Sequence, residues 1–532
     1  MQADYVIVGA GSAGCVLANR LSASGAQVVL LEAGPRDLHP WIHIPAGVLK
    51  LLYNPLVNWM YASEPDTKTG NRAIHWPRGR VLGGTSSING MLFVRGNPAD
   101  YDAWAQMGCR GWTYDECLPH FKSMERYAPG DDAYRGKDGP LKIEDYRTTL
   151  PLTHRFVEAA QQAGHGLVKD LSGLKPADGV GYSQMSRNGR FRGSTAQTFL
   201  RQARGRPNLR ILTDALALRL VVDGKRCTGV EIDRRGLRET VTARREVIVS
   251  SGAVNSPHLL QVSGIGPAAH LKSIGVEVVH DLPGVGANLS DHYATRISHR
   301  IKNAVSINEL ARGAKLVGEV AKFVVTGRGA LTFGVSSAQC FARSREGVEA
   351  PDIQLLFSPA SYDPTKFGEL ERQPGATIAV SIARPRSRGT IMATSPDPFG
   401  RPVINPNYLG DPDDVRVALA GVALARAIFA QPAFAQNSGG EITPGPQAQS
   451  ETALTDYIRA TGTTIYHPVG TCKMGVDAAA VVDPRLRVHG LTGLRVIDAS
   501  IMPAVTTGNT NAPTIMIAEK GAAMVLEDAR VG

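Results

Sequence analysis

The feature that most constrains this chain lies in its opening stretch. Asp4-Tyr5-Val6-Ile7-Val8 is a short β-branched run with the character of a buried parallel strand, and it ends in Gly9-Ala10-Gly11-Ser12-Ala13-Gly14, a G-x-G-x-x-G turn. Ala13, Val16, Leu17 and Leu21 then recur at helical spacing, and Ser24-Gly25 breaks the helix. Gln27-Val28-Val29-Leu30-Leu31-Glu32 reads as a second buried strand ending in an acid. Strand, turn, helix, strand and acid in this order predict a βαβ unit that binds a dinucleotide. Gly9, Gly11 and Gly14 allow a tight turn and close approach of backbone to a pyrophosphate at the helix N-terminus, and Glu32 is placed to accept hydrogen bonds from a ribose diol. NAD and FAD share the ADP half that such a unit reads, so the motif leaves the choice between them open.

At 532 residues the chain exceeds what one hydrophobic core supports, and about two domains are expected. Its 58 Lys and Arg outnumber its 48 Asp and Glu, but the charges are scattered, with no basic stretch interleaved with aromatics, which argues against nucleic-acid binding. The six cysteines form no C-x-x-C pair, so reduced thiols in a cytoplasm are expected, without a disulfide framework. No H-E-x-x-H or close His/Cys cluster suggests a metal site, and no G-x-S-x-G elbow suggests a serine hydrolase. The first strand begins at Asp4, which leaves no room for a signal peptide, and no apolar run reaches the ~18 residues of a membrane span. Any membrane contact would be peripheral.

After Glu32-Ala33-Gly34-Pro35 the chain turns aromatic and proline-rich, as in a surface excursion, and reaches Trp76 to Gly90, a glycine- and hydroxyl-rich stretch able to bring backbone close to a ligand. A helical stretch is predicted from Pro98 to Met124. Asn208 to Thr213, Ala215 to Val222, Thr228 to Ile232 and Glu246 to Ser250 read as strands, with Asp223-Gly224 as a hairpin turn. The last of these ends in Ser251-Gly252-Ala253, which suggests a return to the first sheet beside the ligand. From Thr295 to Tyr466, strand pairs such as Thr377 to Ala383 with Gly389 to Ser395, and a helix from Asp411 to Ala430, predict an antiparallel sheet backed by helices. Gly493 to Ser500 is again a buried strand ending in an acid. The fold class expected is therefore α/β, a Rossmann-like domain discontinuous in sequence (1–150, 190–294, 467–532) with a substrate domain (151–189, 295–466).

Two late stretches could carry chemistry. In Tyr466-His467-Pro468-Val469-Gly470 a histidine follows an apolar approach; in Thr507-Gly508-Asn509-Thr510-Asn511-Ala512-Pro513 a helix starts, with Asn511 or Thr510 near the cap. Such a helix aims its positive end at whatever precedes it. A single histidine is more often a surface or core residue than a catalyst, and His292 and His489, also in turns, make similar bids.

Taken together, these stretches resemble the glucose-methanol-choline (GMC) oxidoreductases, flavoenzymes that oxidise alcohols. The likeness rests on Gly9 to Gly14 with Glu32-Ala33-Gly34, Gly79-Arg80-Val81-Leu82-Gly83-Gly84 with Ser86 to Gly90, Ser251-Gly252-Ala253 through Ser263 to Gly266, Leu282 to Gly286 with Asn288-Leu289 and Asp291-His292, and the two late stretches. It implies FAD rather than NAD. It implies further that Ser12 and Ala13 contact the pyrophosphate, Glu32 the ribose and Ala217, through its backbone, the adenine. Thr85, Asn89, Gly90 and Leu92 resemble positions beside the flavin, and Asp498-Ala499 positions near the ribityl chain. His467 matches the family's catalytic histidine and Asn511 its partner. Some members hold FAD through a histidine just before the asparagine of the Ser-Ser motif; Ile88 stands there, so non-covalent FAD is expected.

The expected reaction is FAD-dependent oxidation of an alcohol to an aldehyde. Neutral His467 takes the alcohol proton, Asn511 donates a hydrogen bond to the developing alkoxide, and hydride passes to flavin N5. Tyr466, Ile465, Phe333 and Phe357 flank the approach and suit a primary aliphatic or aromatic alcohol, with choline or a sugar or polyol as alternatives. The electron acceptor is expected to be a quinone-like carrier or oxygen, the dehydrogenase reading being favoured. An NAD-dependent dehydrogenase and a non-catalytic flavin-binding protein are the readings from other classes.

Overall fold

In the computed structural model, which describes residues 1–146, 148–173, 178–363 and 368–531, the βαβ unit forms as β1 (Gln2–Val8), α1 (Ser12–Ala23) and β2 (Val28–Leu31). β1 and β2 run parallel with Val6 opposite Val29. Both strands are buried on both faces, which is why they read as continuous apolar runs rather than alternating ones.

β3 (Leu209–Leu212) lies outside β2, and β4 (Ala215–Asp223), β5 (Arg226–Arg234) and β6 (Leu237–Val249) extend the sheet on the other side, giving the order β3-β2-β1-β6-β5-β4. β4 and β5 are the hairpin expected at Asp223-Gly224, with Asp223 opposite Arg226. β6 is long because it has two jobs. Its first part pairs antiparallel with β5, and its end runs parallel to β1 and to Leu494–Val496, which brings the late chain back to the first sheet. Beyond β6 the chain turns at Gly252 into α2 (Gly252–Val262).

A second sheet is built from Gly179–Tyr182, Tyr293–Ile301, Ala338–Ala342, Ile353–Ser358, Gly375–Ile382, Ser438–Thr443 and Thr463–Thr464, and its ladders are antiparallel. Between its second and third strands in chain order runs α3 (Gly313–Thr326). α4 (Pro412–Ala430) backs it, started by Asp411, whose carboxylate accepts from the Asp413 amide. α5 (Asn511–Val531) closes the chain against α1, with Glu519 paired to Arg20 at 2.7 Å.

Two local expectations are corrected. The stretch from Pro98 to Met124 is two helices, Pro98–Gln106 and Tyr114–Met124, because Gly108 and Gly111 take positive φ and the Thr113/Glu116 capping box starts the second anew. The stretches Thr377 to Ala383 and Gly389 to Ser395 do not pair. Gly375–Ile382 lies between Tyr293–Ile301 and Ile353–Ser358, while Thr390–Met392 pairs with Val403–Asn405. The turn between them is fastened elsewhere: the Asp414 carboxylate at the start of α4 accepts from the amides of Arg386 (2.8 Å) and Ser387 (3.0 Å), which draws the chain off the sheet.

The third glycine of the turn packs rather than binds. A Cβ on Gly14 would stand 1.9 Å from the Gly9 carbonyl oxygen, so glycine is what lets α1 lie this close to the end of β1. Gly14→Ala is therefore expected to cost about 3 kcal/mol, read as a lower denaturant midpoint at unchanged slope. An unchanged midpoint would contradict this packing.

Candidate active site

A cavity of about 1150 Å³ lies between the two sheets. From the first sheet's side it is lined by Gly9, Gly11, Ser12, Ala13, Glu32, Ala33, Thr85, Asn89, Gly90, Leu92, Ala217, Asp498 and Ala499, and from the second sheet by residues such as Arg296, Leu356, Ser358 and Thr377. Gly14, expected among the ligand-contacting residues, does not line it, for the packing reason above.

The residues of the first side fit a dinucleotide. A Cβ on Gly11 would meet nothing nearer than the Ser250 carbonyl at 4.0 Å, and one on Gly252 nothing within 4 Å, so both glycines present open backbone to the cavity. α1 begins with no side-chain cap and no acidic residue in its first turn, which leaves its first amides free for an anion. Glu32 is buried and its carboxylate accepts from Ala10 (3.1 Å) and Gly34 (2.9 Å); burial pushes it up to about 7 against the pull of these amides. Asp498 accepts from the Gly252 amide (2.8 Å) and the Ser256 hydroxyl (2.5 Å), and so fixes the second glycine turn.

Sequence reasoning missed Arg192. Fully buried, it donates to the carbonyls of Ile42 (2.7 Å) and Asn89 (2.5 Å) and to Asn89 Oδ1 (2.8 Å), and thereby holds the glycine-rich stretch that ends at Gly90. An isolated arginine outside any motif gives no sequence signal for this. Ile88 is packed in an apolar cluster with Ile42, Leu51, Val57 and Val81.

His467 sits on the cavity wall and is held by a buried carboxylate. Asp291 Oδ1 accepts from the backbone amides of His467 (2.8 Å) and His292 (2.9 Å), while Oδ2 accepts from the hydroxyls of Thr464 (2.6 Å) and Tyr408. Just before His467, Tyr466 takes φ +73, an uncommon conformation for an aromatic residue. It is held there by Arg78, whose guanidinium donates to the Tyr466 carbonyl at 2.7 Å, and by its own amide donating to Thr464 Oγ1 at 2.6 Å.

The hydrogen-bond chain through the two histidines assigns their protons. His292 Nε2 lies 3.0 Å from the Ala383 carbonyl, which only accepts, so Nε2 carries the proton and Nδ1 is bare. His467 Nδ1, 2.9 Å from that bare nitrogen, must then donate to it. This leaves the lone pair of neutral His467 on Nε2, where the Asn509 amide donates at 3.1 Å. Burial, with His292 and Arg78 adding to it, pushes the His467 pKa well below the ordinary 6.5, and burial takes His292 down to about 4.

The asparagine that meets His467 here is thus Asn509, whereas Asn511, expected in that place, bonds elsewhere. Asn511 is the first residue of α5, and its side-chain oxygen accepts from the Ser12 hydroxyl at 2.9 Å, on the glycine-turn side of the cavity. Asn509 lies before the helix, after Gly508 at φ +97, and from there reaches His467. Of the other residues expected near the approach, Tyr466 and Ile465 line the cavity. Phe357 instead stacks on Phe156 at 4.5 Å, because strand alternation sends its neighbours Leu356 and Ser358 to the cavity, and Phe333 packs on Tyr146. His489 bonds to the Gly475 carbonyl and is not part of the cavity wall.

Comparison with known proteins gives the same picture at the level of the whole chain. The family described as GMC oxidoreductase matches residues 3–294 and 385–518. An alcohol dehydrogenase [acceptor] of Pseudomonas putida is 42% identical over 531 residues, 98% of this chain and 95% of the relative. An oxygen-dependent choline dehydrogenase of Sinorhizobium fredii is 43% identical over 538 residues, 99% and 96% of the two chains. Among solved structures, pyridoxine 4-oxidase from Mesorbium loti superposes with a TM-score of 0.89 at 32% identity, covering 98% of each chain.

The two asparagines should separate experimentally. Asn511→Ala removes the acceptor of the Ser12 hydroxyl and is expected to weaken FAD binding to the apoprotein about tenfold, whereas Asn509→Ala leaves it within about twofold, as read by fluorescence titration. Equal losses would contradict the split.

Proposed function

The chain belongs to the GMC oxidoreductase family, and on that footing we propose that it oxidises a primary aliphatic or aromatic alcohol to the aldehyde, with His467 as the base. GMC oxidoreductases bind FAD and act on CH–OH donors. The single observation that carries the finer reading is the unprotonated His467 Nε2, left as an acceptor by the two-histidine chain and met on the cavity wall by the Asn509 amide.

Gly11, Ser12 and Ala13 would hold the FAD pyrophosphate, Glu32 the ribose, Ala217 the adenine, Asp498-Ala499 the ribityl chain, and Thr85, Asn89, Gly90 and Leu92 the flavin. Ile88 offers no nucleophile, which supports non-covalent attachment. Bound FAD supplies the acceptor for the hydride leaving the alcohol carbon. The remaining work falls to the chain. When the alcohol hydroxyl takes the place of the Asn509 amide on His467 Nε2, that nitrogen accepts the hydroxyl proton, and Asn509, which cannot titrate, donates instead to the substrate oxygen and orients it. As His467 gains the proton, its Nδ1–H stays directed at His292, while the Asp291 carboxylate keeps hold of its backbone amide. Domain division follows the two sheets, the first binding cofactor and the second closing over substrate.

Charge favours a neutral alcohol over choline. Among the described residues lining the cavity, Arg72, Arg78, Arg80, Arg296 and Arg401 face only Glu32, Asp363 and Asp498, and two of these acids lie on the first-sheet side. Two of the aromatic rings that line it already carry a cation: Arg80 lies 5.1 Å from the Trp59 ring and Arg296 5.8 Å from that of Tyr362. The electrons then pass to a quinone-like carrier or to oxygen; the relatives include both an alcohol dehydrogenase [acceptor] and an oxygen-dependent choline dehydrogenase.

His467→Ala is expected to slow anaerobic flavin reduction by alcohol about a hundredfold or more while FAD stays bound; an unchanged rate would remove His467 from the chemistry. The base works in its neutral form, and a depressed pKa keeps it neutral to lower pH. The reduction rate should therefore be flat at neutral pH and fall only on an acid limb with its midpoint below 6.5. A midpoint above that value would contradict the assignment. Acid precipitation should release all the flavin; flavin retained in the pellet would contradict non-covalent binding.

A further inference from the structure

α3 presents its apolar side to solvent. Of its fourteen residues only Phe323 is buried, with Glu319 turned inward beside it to accept from the Ala330 amide at 2.5 Å. At about 100° per residue, Ala314, Val317, Gly318, Ala321, Val324 and Val325 fall on the opposite, outward arc. Val317, Val324 and Val325 are 70%, 61% and 77% exposed. The helix does not need to bury this arc to stay formed. Gly327 caps it at φ +66, Arg190 donates to the carbonyls of Phe323 and Val324 in its last turn, and the exposed Phe191 ring packs edge-on against Phe323 at 6.3 Å. An ordered helix with its valines outward is the reverse of a globular surface helix and marks a contact surface.

We propose that α3 seats the protein peripherally on an anionic lipid surface, with Val317, Val324 and Val325 entering the headgroup boundary. Charge selects this occupant. From Lys302 to Arg328 the chain carries five cations (Lys302, Arg312, Lys315, Lys322, Arg328) against two carboxylates, Glu309 and Glu319. The carboxylates are drawn in and the ammonium groups left out: Lys315 is 58% exposed against 25% for its partner Glu309, and Lys322 46% against 13% for Glu319. Lys315 and Lys322 flank the apolar arc, where their stems lie along lipid and their heads meet phosphates. A second copy of this face would set like charges against each other. Among the described residues no helix is long and apolar enough to cross a membrane, so the contact is interfacial. This surface is independent of the alcohol chemistry, and Val335 and Ser336, a few residues beyond α3, carry the chain on to the cavity wall.

The test is co-sedimentation of the FAD-loaded full chain with vesicles of phosphatidylcholine containing phosphatidylglycerol, and with phosphatidylcholine alone. The wild type should sediment with the anionic vesicles and little with the neutral ones. The double variant Val317→Glu/Val324→Glu should bind at least about tenfold less, with its bound FAD spectrum and flavin reduction by alcohol unchanged. Val324→Trp should bind more tightly than wild type, and Lys315→Gln/Lys322→Gln should lose the preference for anionic lipid. Wild-type protein that stays in the supernatant overturns the proposal. So does a double variant that sediments like wild type, or a wild type that light scattering shows to be a dimer which the double variant abolishes without any lipid binding. Loss of alcohol-dependent flavin reduction in the wild type itself would count against the enzymatic reading and leave the sedimentation result to stand alone.

Discussion

The site depends on one buried carboxylate. Asp291 lies at the start of the second sheet's Tyr293–Ile301 strand, and its two oxygens receive four donors: the backbones of His292 and His467 and the hydroxyls of Thr464 and Tyr408. Burial alone raises the pKa of this acid, and the donors, with Arg78 nearby, pull the other way. Their geometry ties together three stretches far apart in sequence. Because His467 is held by its backbone, its ring remains free to be oriented by His292 and Asn509. The positive φ of Tyr466 is affordable only because Arg78 and Thr464 hold it on both sides.

The start of α5 joins the His467 corner to the glycine turn between β1 and α1. Asn511, in the helix, bonds to Ser12; Asn509, two residues earlier and outside the helix, bonds to His467. One short segment thus fixes the distance between the glycine turn, where we propose that the pyrophosphate binds, and the ring we propose as the base. A rigid element spanning the two is what preorganised chemistry requires, since small displacements cost rate steeply.

The sequence was most legible where burial imposes a pattern. β1, β2 and the end of β6 are apolar without interruption because helices or loops cover both faces, and Gly9 and Gly14 answer to a close backbone approach that no other residue allows. His467, which stands on the cavity wall, was marked out by its surroundings in the chain. The choice between Asn509 and Asn511 was not: both flank Thr510 and either can serve a helix start, so only the actual first residue of α5 decides which one faces His467. Phe357 failed for a similar reason, since alternation along a strand is certain but its phase is set by the sheet's packing, which put Leu356 and Ser358 on the cavity side. The misjudged strand pair after Ile382 turned on Asp414, a helix-start acid that captures the preceding turn from thirty residues away in the chain. Long-range capture of this kind leaves no local signature.

The most direct test of the account is flavin bleaching under anaerobic conditions across a panel of donors: aliphatic and benzylic primary alcohols, choline, and a polyol. A cavity lined by more arginines than acids, with a neutral imidazole as the proposed base, predicts rapid bleaching by the neutral primary alcohols and slow bleaching by choline. Choline bleaching the flavin fastest would contradict the substrate reading, and a flavin that no alcohol reduces would contradict the assignment of His467 as the base.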